Sequence, residues 1–265
     1  MKKSFNIDEF LKKYPYAEEA ITKNDININN LKEIYEDYID YKSSYENQAE
    51  FIANILRAKR MVHSVKSRIK DPNGLIEKVI RKTEDRRSKY GSDFEFTVNN
   101  YKNEINDLIG IRVIHIFKDQ WQEIHNFIVK TWRVIEITAN VRDGDNIDVF
   151  DDPSIEVRSK ASGYRSVHYL VEFYPTNEKV IAEIQVRTIF EEGYGEIDHR
   201  LRYSHREIPE ILQSNLLLFN RIVGSADEMA SLINNLSREW AEKEVNYKKI
   251  IENQQAEINK LKSKT

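Results

Sequence analysis

The 265-residue sequence contains no cysteine. That absence excludes disulfides, a zinc ribbon, an iron–sulfur site and a cysteine nucleophile. Glycine (8) and proline (5) are scarce, which favours long helices. No apolar run approaches the roughly 20 residues that span a bilayer. The opening MKKSFNIDEF carries positive charge with no apolar stretch behind it, so a secretory signal is not expected and a cytoplasmic location is. Neither sign of charge dominates. Lys and Arg number 41, Asp and Glu 44, and a net charge of -3 does not suggest a general nucleic-acid binder. The chain does hold 40% hydrophobic and 11% aromatic residues, enough at this length for a sizeable core without staples.

The chain divides into three parts. Residues 1–106 read as mostly helical: Leu31, Ile34, Tyr35, Tyr38, Tyr41, Tyr45, Phe51, Ile52, Ile55 and Leu56 recur at spacings of three and four between Asn29 and Arg60. Asp71-Pro72-Asn73-Gly74 breaks the pattern, and Leu75 and Val79 restart it. Residues 107–187 hold short β-branched or aromatic runs at Ile111–Phe117, Val134–Val141, Val167–Tyr174 and Val180–Arg187, with a helix over Asp119–Thr131 between the first two. That is an α+β or mixed α/β pattern. From residue 188 the chain returns to helix. Leu212–Leu236 is apolar at helical spacing, and the charged tail Ser237–Thr265 reads as a solvated helix or a short coiled coil.

Four segments carry chemistry. In Val180–Arg187, one strand face is apolar and the other presents Glu183, Gln185 and Arg187. This is either a solvated face of an antiparallel sheet or a site floor, with Glu183 suited to a metal ion and Arg187 to phosphate. Asp107 stands just before a strand that contains Gly110 and Arg112. It is either a turn residue or, with Glu183, half of a magnesium site, since Mg²⁺ takes one or two carboxylates plus substrate phosphates. In Lys160–His168, a small-residue turn feeds a strand that, if extended, puts Tyr164, Ser166 and His168 on one face. A tyrosine there either packs on the sheet or stacks on a base. The segment Arg57–Lys89 holds twelve Lys and Arg against four Asp and Glu, and Arg68 and Lys70 would point the same way if extended. It is either a solvated face or an anion site. Asp198 and His199 are adjacent but face different ways on a helix, so spacing alone does not pair them.

Three stretches, Asp107–Arg112, Lys160–His168 and Glu183–Thr188, followed by Asp198-His199, resemble in order and spacing the synthetase domain of the RelA/SpoT family. The resemblance covers roughly residues 45–225, leaving 1–44 as a helical extension and 226–265 as a charged C-terminal helix. It implies an α+β, nucleotidyltransferase-like mixed sheet flanked by helices. It also implies a GTP/GDP diphosphokinase that moves pyrophosphate from ATP to the ribose 3′-hydroxyl of GDP or GTP. By this resemblance Asp107 and Glu183 hold Mg²⁺, and Glu183 helps to deprotonate the 3′-hydroxyl. Arg68 and Arg112 sandwich the adenine, and Lys70 meets the ATP phosphates. Tyr164 stacks on guanine, while Lys160, Ser166, His168, Gln185 and Arg187 bind the acceptor. A homodimer or homotetramer is implied as well.

The chain departs from the family pattern in two places. Pro72-Asn73-Gly74-Leu75 stands where a Ser is common, and Glu192 stands where relatives often carry Asn or His beside the guanine. No His is followed by Asp, so synthesis without hydrolysis is expected. Two other readings stay open. One is a toxic family member that acts on the tRNA 3′ end or on adenine nucleotides. The other is a binding module without activity, which would not need both carboxylates.

Overall fold

Six short segments build one sheet with strand order β1-β2-β6-β5-β3-β4. The computed structural model describes residues 4–202 and 208–262. Tyr203, the last residue of the helix expected after residue 188, lies outside them, as do Ser263–Thr265 at the end of the tail. The strands are β1 (Ser64–Ile69), β2 (Ile109–His115), β3 (Arg133–Val141), β4 (Ile155–Ser159), β5 (Ser166–Phe173) and β6 (Val180–Thr188). Pairing is parallel for β2 with β6 and for β3 with β4, and antiparallel elsewhere. The sheet is therefore mixed, as the sequence predicts.

One sheet face is apolar. Ile109, Ile111 and Val113 on β2 lie level with Ala182, Ile184 and Val186 on β6, and all six are buried. Val167, Tyr169 and Val171 on β5 continue this surface. Two helices cover it. The long α3 (Ile28–Arg57) buries Leu31, Ile34, Tyr38, Ile52 and Leu56. The shorter α6 (Gln120–Thr131) buries Trp121, Ile124 and Ile128, and both Trp121 Nε1 and His125 Nδ1 lie 3.1 Å from the Tyr169 hydroxyl. Short helices α1 (Ile7–Lys13) and α2 (Ala17–Lys23) close the N-terminal side, with Phe10 and Ala17 in the same core.

On the other face α7 (Ile189–Arg202) packs against β6 and β2, and α8 (Glu210–Lys262) packs on α7. Helix α4 (Pro72–Tyr90) packs on α2 and α3, and the single-turn α5 (Tyr101–Glu104) buries Tyr101 in the apolar core, its hydroxyl donating to Asp37 of α3 at 2.6 Å. The break at residues 71–74 is the start of α4: Pro72 occupies the first turn and the Asp71 carboxylate accepts from the Gly74 N–H at 2.9 Å. No helix among the described residues is long and apolar enough to cross a membrane.

The structure corrects three local expectations. The mostly helical N-terminal third contains β1, an edge strand whose mixed sequence SVKSRI buries only Val65 well. Tyr164 precedes β5 rather than lying in it, because Gly163 turns the chain at φ +74°. The strand expected over Ile111–Phe117 begins two residues earlier, at Ile109. Helix α3 runs unbroken through residue 45 and α8 through residue 226.

The root of α8 holds a buried acid. Asp227 accepts from the Thr188 hydroxyl at 3.0 Å, and its second oxygen is without a hydrogen-bond partner among the described residues. Burial, then the nearby Glu191, push its carboxyl up to about 7. A value raised in the folded state means that protonation stabilises the fold. This contribution is present in full below the ordinary carboxylate value and is lost as pH rises through about 7. The melting temperature should therefore fall between about pH 5 and pH 8, and fall less in Asp227→Asn. Identical slopes for the two proteins would refute the assignment.

Candidate active site

The second sheet face is polar and lines a cavity of about 920 Å³. Strand register builds its floor. Arg68 on β1 lies level with Gly110 on β2, which lies level with Glu183 on β6 and Leu170 on β5. One step along come Arg112, Gln185, His168 and Thr138. Because side chains alternate, residues two apart on a strand share this face, as Glu183, Gln185 and Arg187 do on β6. Gly110 matters here: a β-carbon on it would sit 3.0 Å from Nε of Arg68, so glycine lets that side chain lie flat across β2 without having to shift.

One end of the cavity is cationic. Lys78, Lys82 and Arg86 recur every fourth residue along α4 and all line it. Burial, then Lys78 and Arg86, pull the Lys82 ammonium below its ordinary value. Clustered cations of this kind are relieved by an anion such as a polyphosphate. Lys70 and Lys78 hold the Asp107 carboxylate at 2.8 and 2.9 Å. Burial alone would raise Asp107, but the two ammonium groups outweigh it and hold the carboxyl at about 2.

At the centre lies a closed ring of hydrogen bonds. Arg187 Nη2 donates to the Tyr164 hydroxyl and to Gln185 Oε1, both at 2.5 Å. Gln185 Nε2 donates to Glu183 Oε2 at 2.7 Å. His168 joins the two ends, with Nδ1 3.0 Å from Glu183 Oε1 and Nε2 3.1 Å from the Tyr164 hydroxyl. One tautomer satisfies every contact: Tyr164 donates to Nε2, and Nδ1–H donates to Glu183. Burial pushes Glu183 up, but its bonds from His168 and Gln185 prevail and hold it ionised.

Arg187 is 4% exposed and also bonds Ser166 Oγ at 3.3 Å and Glu192 Oε2 at 2.9 Å. Its guanidinium lies 5.0 Å from the Tyr164 ring centre. Glu192 reaches Arg112 with its other oxygen at 3.0 Å, and Glu196 pairs with Arg112 as well. Helix α7 thus sets two carboxylates against the central arginines.

Of the residues expected from the sequence, Arg68, Asp107, Arg112, Lys160, Tyr164, His168, Glu183, Gln185 and Arg187 all line this one cavity. Lys70 and Ser166 do not; they stand behind it, on Asp107 and Arg187. Asp198 and His199 both line it. Sequence reading noted the charge excess around α4 but not Lys78, Lys82 and Arg86 themselves, whose four-residue spacing is the signal that finds them. It also passed over Glu136, Thr138 and Asn140, which alternate along β3 and face the cavity.

The donor set suits a divalent cation with hard oxygen ligands. Asp107 and Glu183 are both ionised and both line the cavity. Asn106, beside Asp107, lines it too, and its buried Oδ1 has no hydrogen-bond partner among the described residues. No group of three or more His, Asp or Glu side chains placed for a metal occurs among those residues. The site therefore fits an ion that completes its shell with substrate oxygens, as Mg²⁺ does.

Removing Arg187 would leave Glu192 facing one arginine instead of two and free Tyr164. Arg187→Met should cost about 3 kcal/mol in urea unfolding, and adding Glu192→Gln should cost less than the sum of the two. A loss under about 1 kcal/mol would contradict the network.

Comparison with known proteins gives the family and relatives of the same fold. The sequence model of the "Region found in RelA / SpoT proteins" matches residues 67–208, more than half of the chain. The chain is 27% identical over 181 residues to the GTP pyrophosphokinase YwaC of Bacillus subtilis, covering 66% of this chain and 75% of that one. The small alarmone synthetase 1 from Bacillus subtilis shares the fold at a TM-score of 0.58 and 22% identity, over 76% of this chain and 97% of that one. A second structure of that synthetase, bound to its product pppGpp, gives a TM-score of 0.55 at 20% identity, over 74% and 95%. The matched region contains β2, β5, β6 and the whole hydrogen-bonded ring, and the protein belongs to the RelA/SpoT family.

Proposed function

We propose that the protein transfers the β,γ-pyrophosphoryl group of ATP to the 3′-hydroxyl of GDP or GTP, giving AMP and (p)ppGpp. The observation that carries this reading is the layout of the polar sheet face: cations from α4 at one end, the Tyr164 ring system at the other, and an ionised Glu183 between. A relative named as a GTP pyrophosphokinase and a fold relative bound to pppGpp support the choice of acceptor.

In this reading ATP occupies the cationic end. Arg68 and Arg112 flank the adenine, since a guanidinium can keep ion pairs at its edge while its face stacks. Lys70 serves the phosphates together with Lys78 and Lys82. Tyr164 stacks on guanine, and Lys160, Ser166, His168, Gln185 and Arg187 hold the acceptor directly or through Tyr164. Glu183 takes the proton of the 3′-hydroxyl. The freed oxygen attacks the β-phosphorus, the bond from that phosphorus to the bridging oxygen breaks, and AMP leaves with that oxygen and its charge. The lysines of α4 stabilise the charge on both fragments. Asp107 and Glu183 would hold Mg²⁺, which supplies charge neutralisation at the phosphates when bound.

Exposed apolar residues on α8, among them Leu218, Ile222, Met229, Leu232 and Leu236, recur at mostly three- and four-residue spacing and support a homo-oligomer. A monomeric mass in solution would contradict that.

The test uses ATP labelled in its β and γ phosphates, with GDP, GTP, ATP or deacylated tRNA offered separately. Label should pass to GDP or GTP, with rates down about 10³-fold or more in Asp107→Asn and Glu183→Gln. Label on tRNA or on ATP alone would replace the acceptor and keep the residues. No transfer to any acceptor would refute the reading.

A further inference from the structure

The loop that carries Tyr164 has little backbone pairing of its own. Lys160 N–H donates to Val141 O at 2.9 Å and Gly163 N–H to Lys160 O at 2.8 Å, and β5 starts only at Ser166. Yet a stacking tyrosine must be held in one place to favour a bound base. The support comes from helices. Tyr194 of α7 donates its hydroxyl to Ser162 O at 2.5 Å. Asn220 of α8 braces the two residues on either side of Tyr164. Its Nδ2 donates to Gly163 O at 2.8 Å, and its Oδ1 accepts from Arg165 Nη1 at 3.2 Å. Arg165 is anchored in turn by two bonds to Asp145, at 2.6 and 3.0 Å.

The fit around Asn220 is tight. Asn220 is 1% exposed. Gly163 has φ +74°, and a β-carbon on it would lie 2.8 Å from the Asn220 side chain. Gly224, one helical turn further along α8, passes so close to Arg165 that a β-carbon there would lie 3.1 Å from Nη2. The amide satisfies both neighbours at once, since Nδ2 supplies the donor that one contact needs and Oδ1 the acceptor that the other needs.

We propose that Asn220 is a positioning residue for acceptor binding: it holds Gly163 and Arg165 so that Tyr164 stands fixed at the acceptor end of the cavity. It lies beyond the stretch that the family model matches, residues 67–208. The acceptor half of the site is therefore completed by a helix outside the matched region. Among the described residues no hydrogen bond or ion pair joins α4 to Asn220, Gly163 or Arg165, so the α4 end is expected to stay independent of Asn220. This inference rests on the proposed assignment of Tyr164 to the guanine acceptor.

Three variants of the full chain test it. Asn220→Asp keeps the size and the acceptor for Arg165 but turns an oxygen toward Gly163 O. Asn220→Ala removes both bonds. Gly163→Ala attacks the same contact from the loop side. Calorimetry with GDP and with α,β-methylene ATP reads the two halves separately, without turnover. GDP binding should weaken about tenfold in each variant, while the ATP analogue stays within about twofold. In the transfer assay the KM for GDP should rise with a smaller change in kcat. Unchanged GDP binding in Asn220→Asp and Gly163→Ala would overturn the inference. So would equal losses for both nucleotides, which would mark general damage to the fold. Wild-type protein that binds the ATP analogue but no guanine nucleotide would overturn the functional reading, and this inference with it.

Discussion

A buried guanidinium has to be paired, and the Tyr164 end of this cavity is organised by how Arg187 is paired. Leaving such a group without partners in the interior costs several kcal/mol. Here it meets Ser166, Gln185, Tyr164 and Glu192 together. Each partner is fixed by serving it. Tyr164 is turned toward His168, His168 toward Glu183, and Gln185 toward the other Glu183 oxygen. The carboxylate that the proposed chemistry needs is thereby ionised and oriented before any substrate arrives. Helix α7 also passes close to this group: a β-carbon at Gly195 would lie 2.9 Å from Arg187 Nη1 and would require the guanidinium to shift.

The same balance extends over the whole polar face. Lys70 and Lys78 neutralise Asp107, and Glu192 and Glu196 neutralise Arg112. A face this rich in charge would repel itself if one sign prevailed. Pairing makes the folded site tolerable and, of the two α4 lysines that line the cavity, leaves Lys82 for the phosphates of the proposed substrate. This separates two kinds of cation in one cavity. Arg112 and Arg187 are already ion-paired within the protein, while Lys82 stands among like charges that a polyphosphate relieves.

Much of this was legible in the sequence. The alternation in VIAEIQVR assigns Glu183, Gln185 and Arg187 to one face, and the sheet register puts that face on the cavity. Asp107 was legible through its position before a strand, and Tyr164 through the small-residue turn beside it, although Tyr164 precedes β5 rather than lying in it. Three things were not. β1 hides because an edge strand with one well-buried residue carries no apolar pattern. The pairing of Arg112 with α7 depends on how a helix folds back over a strand some eighty residues earlier, which no local spacing encodes. Asn220 sits in an apolar helical stripe where a single amide looks like an interruption; only the packed Gly163 gives it meaning.

The central claim is that donor and acceptor lie over one sheet face and react directly, with Glu183 as base and no covalent enzyme intermediate. The stereochemistry at the transferred β-phosphorus tests this most directly. ATP made chiral at that atom, reacted with GDP, should give product with inverted configuration, as a single in-line displacement requires. Retention would mean two displacements through a group on the protein, His168 being the candidate at hand, and would contradict the account.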